Sequence, residues 1–291
     1  APDGTLTEIR TTDPDRGAAD VITAGNGADV ILGGAGADVI LAATAGESED
    51  VDAILAAVES GDYAAIDPGD DAGDVVVGDD GEALFTEAGE IFEIRTAAPA
   101  FGAGDVIVTG DGPDVVLAGS GDDQVVAGGG NDADVVVGDN GLAFFDPARP
   151  ESVLRRIVTT DPEFGGADEI LTGNGPDVVL GGSAGDVIFA GGGDAAADVV
   201  VGDDVEAVFD ATGTLTLIES LDPAIGGDDV ITTGRGPDVV LGGDADDVVL
   251  AATAGGEADV DAILGLVEAG EFDAIDPGDS AADVVAGDSA R

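Results

Sequence analysis

Sixteen aspartates in this chain share one local setting, each followed two residues later by Ile or Val. They are Asp20, Asp29, Asp38 and Asp74, then Asp105, Asp114, Asp123 and Asp134. Asp168, Asp177, Asp186 and Asp198 follow, and finally Asp229, Asp238, Asp247 and Asp283. In each group the first three stand nine residues apart, and the fourth comes after an insertion. Glycine-rich turns precede them, cleanest in Gly25-Asn-Gly-Ala-Asp29, Gly110-Asp-Gly-Pro-Asp114, Gly173-Asn-Gly-Pro-Asp177 and Gly234-Arg-Gly-Pro-Asp238. Glycine accepts the left-handed angles of a tight turn and lets carbonyl oxygens turn inward. Carboxylates and carbonyls are the donors of a hard divalent cation, which takes about six to eight oxygens. A short acid before a strand, stacked over its equivalent in the next repeat, is repelled unless a cation lies between the two.

The rest of the composition removes competing chemistries. There is no His, Cys, Met or Trp, which excludes disulfides, zinc sites, thiol nucleophiles, imidazole acid–base chemistry and haem ligation. The 63 acidic side chains are 47 Asp and 16 Glu, against 8 Arg and no Lys, for a formal charge of -55. With no basic patch to meet phosphates, nucleic acid is not a partner. Such charge often means disorder, but 44% of the residues are hydrophobic and they recur periodically. Aromatics are only 3%, so the core is expected from Val, Ile, Leu and Ala. No apolar run approaches the ~20 residues of a membrane helix, so no membrane insertion is expected. The chain opens Ala-Pro-Asp-Gly without Met and without a signal-like segment, and reads as a processed product or a piece of something longer.

The elements that must position these aspartates follow a longer repeat. Four units open with variants of Thr-Thr-Asp-Pro, at 11–14, 96–99, 159–162 and 220–223. They close with Gly-Asp-Asp, Gly-Asp-Asn or Gly-Asp-Ser, at Gly78, Gly138, Gly202 and Gly287. The units run approximately 1–80, 81–140, 141–204 and 205–291, one array over 1–291. Segments 81–95 and 205–219 each place two short alternating apolar runs around a glycine-containing turn, the signal of a β-hairpin. The closer at Gly138 is expected to leave the repeat into a hairpin as well. Two near-copies, 47–66 and 257–275, carry Val51, Ile54, Leu55, Val58 and Val260, Ile263, Leu264, Val267 at helical spacing. They predict two short amphipathic helices packed on the repeat. An EF-hand is not supported, because the Asp67–Asp74 loop has no Glu where the twelfth ligand belongs.

The nine-residue pattern resembles Gly-Gly-x-Gly-x-Asp-x-U-x, with U a large aliphatic residue, of the RTX (repeats-in-toxin, haemolysin-type) calcium-binding family. The resemblance covers most of the chain. It implies an all-β fold, a parallel β-roll or β-solenoid in which each nonapeptide is a glycine turn plus a short strand. Two nonapeptides make one turn of a right-handed roll, with Ca2+ between successive turns on each edge and the sixteen aspartates as its ligands. Two turns depart from the pattern: Gly-Gly-Ser-Ala-Gly precedes Asp186, with glycine one place late, and Ala245 stands where glycine is expected before Asp247.

No residue is expected to be catalytic, and the chain is read as no enzyme. The leading expectation is a calcium-folded structural segment of a secreted bacterial surface, adhesin-stalk or matrix protein. The alternative is the calcium-dependent export and folding module of an RTX-type enzyme or toxin whose catalytic domain lies outside this chain. A carboxylate-pair glycosidase is disfavoured, because nearly every Asp is explained by a turn. Halophilic adaptation suits the acid bias but does not explain the nine-residue step. Extracellular calcium modules bind at ~10⁻⁴–10⁻³ M, so the sites would fill outside the cell. The residue after the Asp is Val in 14 of the 16 segments, which makes the strands apolar on both faces. Such strands need cover on both sides. If hairpins and helices do not supply it, Val30, Val39, Val115, Val178, Val187 and Val239 point outward and invite copies of the chain, laterally or end to end.

Overall fold

The computed structural model describes residues 6–42, 51–60, 71–128, 130–147, 153–191, 194–221, 224–251 and 282–287. Each of the sixteen aspartates stands immediately before a strand, and successive strands alternate between two eight-stranded parallel sheets. One sheet, called outer here, contains β2 (Val21–Thr23), β4 (Val39–Leu41), β8 (Val106–Val108) and β10 (Gln124–Val126). It continues through β14 (Glu169–Gly173), β16 (Val187–Ala190), β20 (Val230–Thr232) and β22 (Val248–Leu250). The inner sheet contains β3 (Val30–Leu32), β5 (Val75–Val77), β9 (Val115–Leu117) and β11 (Val135–Val137). It continues through β15 (Val178–Leu180), β17 (Val199–Val201), β21 (Val239–Leu241) and β23 (Val284–Ala286). The pairings are in phase, as in Ile40 opposite Ile107 and Val179 opposite Val200, apart from a bulge at the end of β14 between Leu171 and Gly173. Mostly β, with two parallel sheets wound alternately from one chain, this is the architecture of a β-roll.

The interior follows from the period of two along a strand. The Ile or Val two residues after each Asp turns into the space between the two sheets. Ile40, Val76, Ile107, Val116, Ile170, Val179, Ile188, Val200 and Ile231 are completely buried there. Burying each such side chain contributes roughly 1.5–3 kcal/mol. β-Branched residues suit these three-residue strands, because their stiff χ1 packs well on a pleated surface.

The outer faces are covered from within the chain. A seven-stranded antiparallel sheet lies against the inner sheet. It consists of β1 (Glu8–Arg10) and three hairpins. The hairpins are β6 (Gly81–Phe85) with β7 (Ile91–Thr96), β12 (Gly141–Asp146) with β13 (Val153–Thr159), and β18 (Val205–Phe209) with β19 (Leu215–Ser220). Ile94, Ala143, Ile157, Val205 and Ala207 are completely buried in the layer it shares with Val77, Leu117, Val137 and Leu180 of the inner sheet. On the far side, helix α1 (Val51–Ser60) sets Ile54 and Val58 against Leu41, Val108, Val126, Leu171 and Phe189 of the outer sheet. Helix, outer sheet, inner sheet and antiparallel sheet therefore form stacked layers.

This corrects the expectation of outward valines left in water. Val115 and Val178 lie under the antiparallel sheet, and Val30, Val39, Val187 and Val239 are half-buried. The hairpins also do more than decorate each unit: β7 pairs β12 and β13 pairs β18, so they fuse into one sheet. Of the two expected helices, the first is found over Val51–Ser60, and the rest of 47–66 lies outside the described residues. The second, 257–275, lies outside the described residues.

The two departures in turn sequence are resolved by backbone strain. Ala184 and Ala245 both take left-handed conformations, with φ of 72° and 82°, at the place where Gly121 has φ of 108°. Alanine therefore does glycine's work in those turns, and Gly185 does not. A left-handed L-residue costs about 1–2 kcal/mol, partly offset by the smaller entropy an alanine loses on folding. Ala184→Gly and Ala245→Gly should each raise stability by about 0.5–1 kcal/mol, read as a higher midpoint in urea unfolding at fixed calcium.

Candidate metal centre

In-phase strands stack the sixteen aspartates into two rows, one along each edge of the roll. Asp20, Asp38, Asp105, Asp123, Asp168, Asp186, Asp229 and Asp247 precede the outer strands. Asp29, Asp74, Asp114, Asp134, Asp177, Asp198, Asp238 and Asp283 precede the inner ones. Within a row the linkage is uniform: the backbone N–H of one Asp donates to Oδ1 of the next. Asp38 donates to Asp105 at 2.7 Å, Asp123 to Asp168 at 2.8 Å, and Asp168 to Asp186 at 2.8 Å. In the other row Asp74 donates to Asp114 at 2.7 Å and Asp177 to Asp198 at 2.9 Å. At the C-terminal end of each row the bond lengthens, to 3.2 Å for Asp229 to Asp247 and for Asp238 to Asp283.

The second carboxylate oxygen distinguishes the rows. In the outer row, Oδ2 of Asp38, Asp105, Asp123, Asp168, Asp186 and Asp229 is buried without a hydrogen-bond partner. These oxygens aim at glycines where main-chain carbonyls also converge. A Cβ built on Gly138 would fall 2.1 Å from Asp168 Oδ2 and 2.7 Å from the carbonyl oxygen of Gly181. On Gly202 it would fall 1.7 Å from Asp229 Oδ2 and 2.5 Å from the carbonyl oxygen of Gly242. The space that any side chain would take is thus lined by an anionic oxygen and carbonyl oxygens. Among the described residues, no three acidic side chains gather around one point. The donor set is carboxylate plus main chain, all oxygen, which fits a hard divalent cation such as calcium.

The inner row is partly satisfied. Thr172 donates its hydroxyl to Asp177 Oδ2 at 2.6 Å, and Thr233 does the same to Asp238 at 2.6 Å. Asp29 has Ala24 at the corresponding place, and its Oδ2 has no partner, as is true of Asp198. In two of the four turns with the cleanest glycine pattern, at Asp177 and Asp238, a threonine therefore competes for the carboxylate. At Asp114, which follows the same Thr-Gly-x-Gly-Pro string, Oδ2 has no hydrogen-bond partner.

A third set of carboxylates escaped the sequence reading. Asp79, Asp139 and Asp203, in the unit closers, are not among the sixteen. Each is buried in a box between two glycines and accepts N–H bonds from two separate turns. Asp79 accepts from Ala103 at 3.2 Å and Ser120 at 2.6 Å. Asp139 accepts from Gly166 at 2.9 Å and from Ser183 at 2.5 Å. Asp203 accepts from Gly227 at 3.0 Å and from Asp244. These side chains pin the opener of the next unit to the roll.

Burial sets the electrostatics of the rows. Desolvation pushes the carboxyls of Asp105, Asp198 and Asp229 up to about 8, against the hydrogen bond each accepts. Asp134 rises to about 10, with Asp177 as the next cause, and Asp123, Asp168 and Asp186 stand well above the ordinary range. At these deeply buried positions burial favours the protonated form, so a cation that binds there competes with a proton.

A roll with paired rows of aspartates over glycine turns defines a cation-binding repeat scaffold. The chain carries four copies of the RTX calcium-binding nonapeptide repeat, matched at residues 16–43, 100–133, 164–195 and 224–253. This repeat is a calcium-binding structural unit of secreted bacterial proteins, not a catalytic one. The matched stretches hold the first three aspartates of each unit. Asp74, Asp134, Asp198 and Asp283 fall outside them, yet stack in the same inner row. No curated protein matches the chain. Among the described residues, no helix is long and apolar enough to cross a membrane.

The raised carboxyls fix the direction of the pH dependence. Without metal, the folded state holds more protons than the unfolded chain between the ordinary value of 3.8 and the raised values near 8. Metal-free stability should therefore fall as pH rises across that window. Calcium binding should release protons and tighten as pH rises from about 6 to about 8. Circular dichroism in chelator, with more β signal kept at pH 5 than at pH 8, and calorimetric titration in two buffers of different ionisation enthalpy, check the two halves.

Proposed function

We propose that this chain is a calcium-folded structural segment of a secreted bacterial surface, adhesin-stalk or matrix protein, able to associate end to end with copies of itself. The observation that carries the reading is the line of buried, partnerless Oδ2 atoms along the outer row, each facing main-chain carbonyls. A buried acceptor left unmade costs about 1–3 kcal/mol, more when charged. A cation at each position turns that cost into binding. The outer-row aspartates are then the principal ligands, with Asp29 and Asp198 their inner-row counterparts. Asp177 and Asp238 take a cation only after releasing a threonine hydroxyl. Lateral association loses its motive, because both apolar faces are covered within the chain. The roll ends remain: Val21 is 62% exposed on the first coil, and Val284 is 60% exposed on the last.

Chelation is the direct test. With a formal charge of -55 and few cations, the metal-free chain repels itself, and calcium stabilises by binding only the folded form. Circular dichroism at neutral pH and low ionic strength should lose its β signal with EDTA and regain it with millimolar calcium. A full β spectrum in EDTA would overturn the reading.

Single substitutions locate the sites. Asp105→Ala or Asp168→Ala should remove bound calcium and weaken the remaining affinity severalfold, by native mass spectrometry and calorimetry. Thr172→Ala, which frees Asp177 Oδ2, should leave affinity equal or tighter. Glu87→Ala and Glu90→Ala, on an exposed hairpin tip, should change neither stoichiometry nor affinity. Equal effects from all of these would replace specific sites by a diffuse ion cloud.

A further inference from the structure

The inner edge of the roll holds a further carboxylate that is not among the sixteen. The insertion before β17 runs Gly191-Gly-Gly-Asp-Ala-Ala-Ala-Asp198, and Asp194 is its first acid. Asp194 Oδ2 accepts the backbone N–H of Gly175 at 3.0 Å, on the coil before its own. Its Oδ1 is buried without a hydrogen-bond partner. Asp198, four residues on, is arranged in the same way. Its Oδ1 takes the N–H of Asp177 at 2.9 Å, and its Oδ2 is buried without a partner. One loop thus grips the preceding turn with two carboxylates, and each leaves one oxygen unbonded.

The surroundings of these two oxygens point to a cation. Asp198 is 1% exposed. A Cβ built on Gly191, at φ of 85°, would fall 3.1 Å from Asp198 Oδ2 and 2.5 Å from the carbonyl oxygen of Thr233. Burial is the main cause of the raised carboxyls of Asp177 and Asp198, and the charge of Asp194 adds to it in both, so Asp194 lies beside the row. Asp177 has its threonine five residues earlier, whereas Gly193 stands five residues before Asp198 and has no hydroxyl to give. Among the described residues, no arginine pairs with Asp194 or Asp198.

We propose that Asp194 and Asp198 together bind one calcium ion, in a two-carboxylate site of the inner row that the nonapeptide pattern does not contain. The proposal rests on the calcium reading above and adds a ligand to the sixteen. Each carboxylate is already fixed by a backbone N–H, so the ligands are in place before the ion arrives. Two anionic oxygens raise the charge at this position, and ligand charge tunes the affinity of calcium sites. The inner row is therefore uneven. Asp198 is its tightest position, and Asp177 and Asp238, capped by threonine, are the weakest. In sequence, Asp also stands four residues before the fourth row aspartate at 70 and 279, both outside the described residues, and Gly130 takes that place in the second unit.

Calorimetric titration with calcium chloride and native mass spectrometry test the site. Asp194→Asn keeps an oxygen for the Gly175 N–H and turns an amide N–H2 towards the ion, so the loop stays pinned and the ligand is lost. This variant should bind one ion fewer at calcium levels that saturate the wild type, with that site weakened about tenfold or more. Its calcium-dependent β spectrum should persist. Glu90→Gln removes the same unit of charge from an exposed hairpin tip and should match the wild type. Because the two acids serve one ion, adding Asp198→Asn to Asp194→Asn should remove no second ion. Wild-type stoichiometry and affinity in Asp194→Asn, a loss equalled by Glu90→Gln, or two ions lost in the double variant would overturn the site. A wild-type chain that binds no calcium would instead overturn the calcium reading. If Asp194→Asn does not fold, a crystal structure of the wild-type chain with calcium decides. The ion should then lie about 2.3–2.6 Å from both Asp194 Oδ1 and Asp198 Oδ2, and calcium in the rows without contact to Asp194 would overturn the proposal.

Discussion

The structure depends on how like charges can be stacked at the spacing of a β-sheet. Parallel strands stand about 4.8 Å apart. Two unit charges at that distance repel by roughly 1 kcal/mol in water and about 3.5 kcal/mol at the effective dielectric of a protein surface. Two rows of eight aspartates at this step cannot all be ionised and bare. The fold answers the problem by dividing the labour of each carboxylate. Oδ1 is tied to the neighbouring backbone N–H and fixes the register between coils. Oδ2 is left facing carbonyl oxygens, where a proton or a cation must settle the charge. Register and ligation are therefore the same interaction seen from the two oxygens of one group.

The remaining layers follow from that rigid ladder. Once the coils are locked in phase, the Ile or Val two residues after each Asp falls into a single apolar seam between the parallel sheets. The flanking Val and Leu then face outward in register, which creates two flat apolar faces. A hairpin inserted at the start of each of the last three units meets its neighbours at the pitch of the roll, so three local hairpins become one sheet over the inner face. The closer aspartates hold that arrangement. Asp79, Asp139 and Asp203 sit where hairpin, opener and roll turn meet, and each satisfies N–H groups of two turns at once. Arg95 with Glu82, and Arg156 with Glu206, pair across strands on the antiparallel sheet. The scarce cations are thus spent away from the rows.

The period, the strands and the sixteen aspartates were legible in the sequence because nine-residue spacing survives as a string. The hairpins were legible because their alternation is local. What was lost is whatever depends on pitch. Nothing in the string says that Asp38 stacks on Asp105 across an insertion, or that β7 pairs with β12. The preference among sites was also hidden. A clean glycine pattern singled out Asp29, Asp114, Asp177 and Asp238, but at Asp177 and Asp238 the threonine five residues earlier reaches Oδ2 only once the turn is closed. The turns at Ala184 and Ala245 read as defective, yet keep the left-handed angle, because neighbouring coils over-determine the backbone there.

The choice of aspartate over its relatives closes the argument. Glutamate has the same charge, but its extra methylene would carry the carboxylate past the N–H one strand away, and Oδ1 could no longer set the register. Asparagine could keep the bond at Oδ1, but would point an N–H2 donor at the carbonyls that line the glycine space, where only an acceptor can share a cation. The buried partner oxygen must also be able to lose its proton, which an amide cannot mimic. Asparagine does occur where the geometry asks for a donor: Asn140, next to Asp139 in sequence, gives its amide to the Ser120 hydroxyl beside the Asp79 box at 2.9 Å. In the rows, by contrast, the hydrogen must be absent whenever the cation is present.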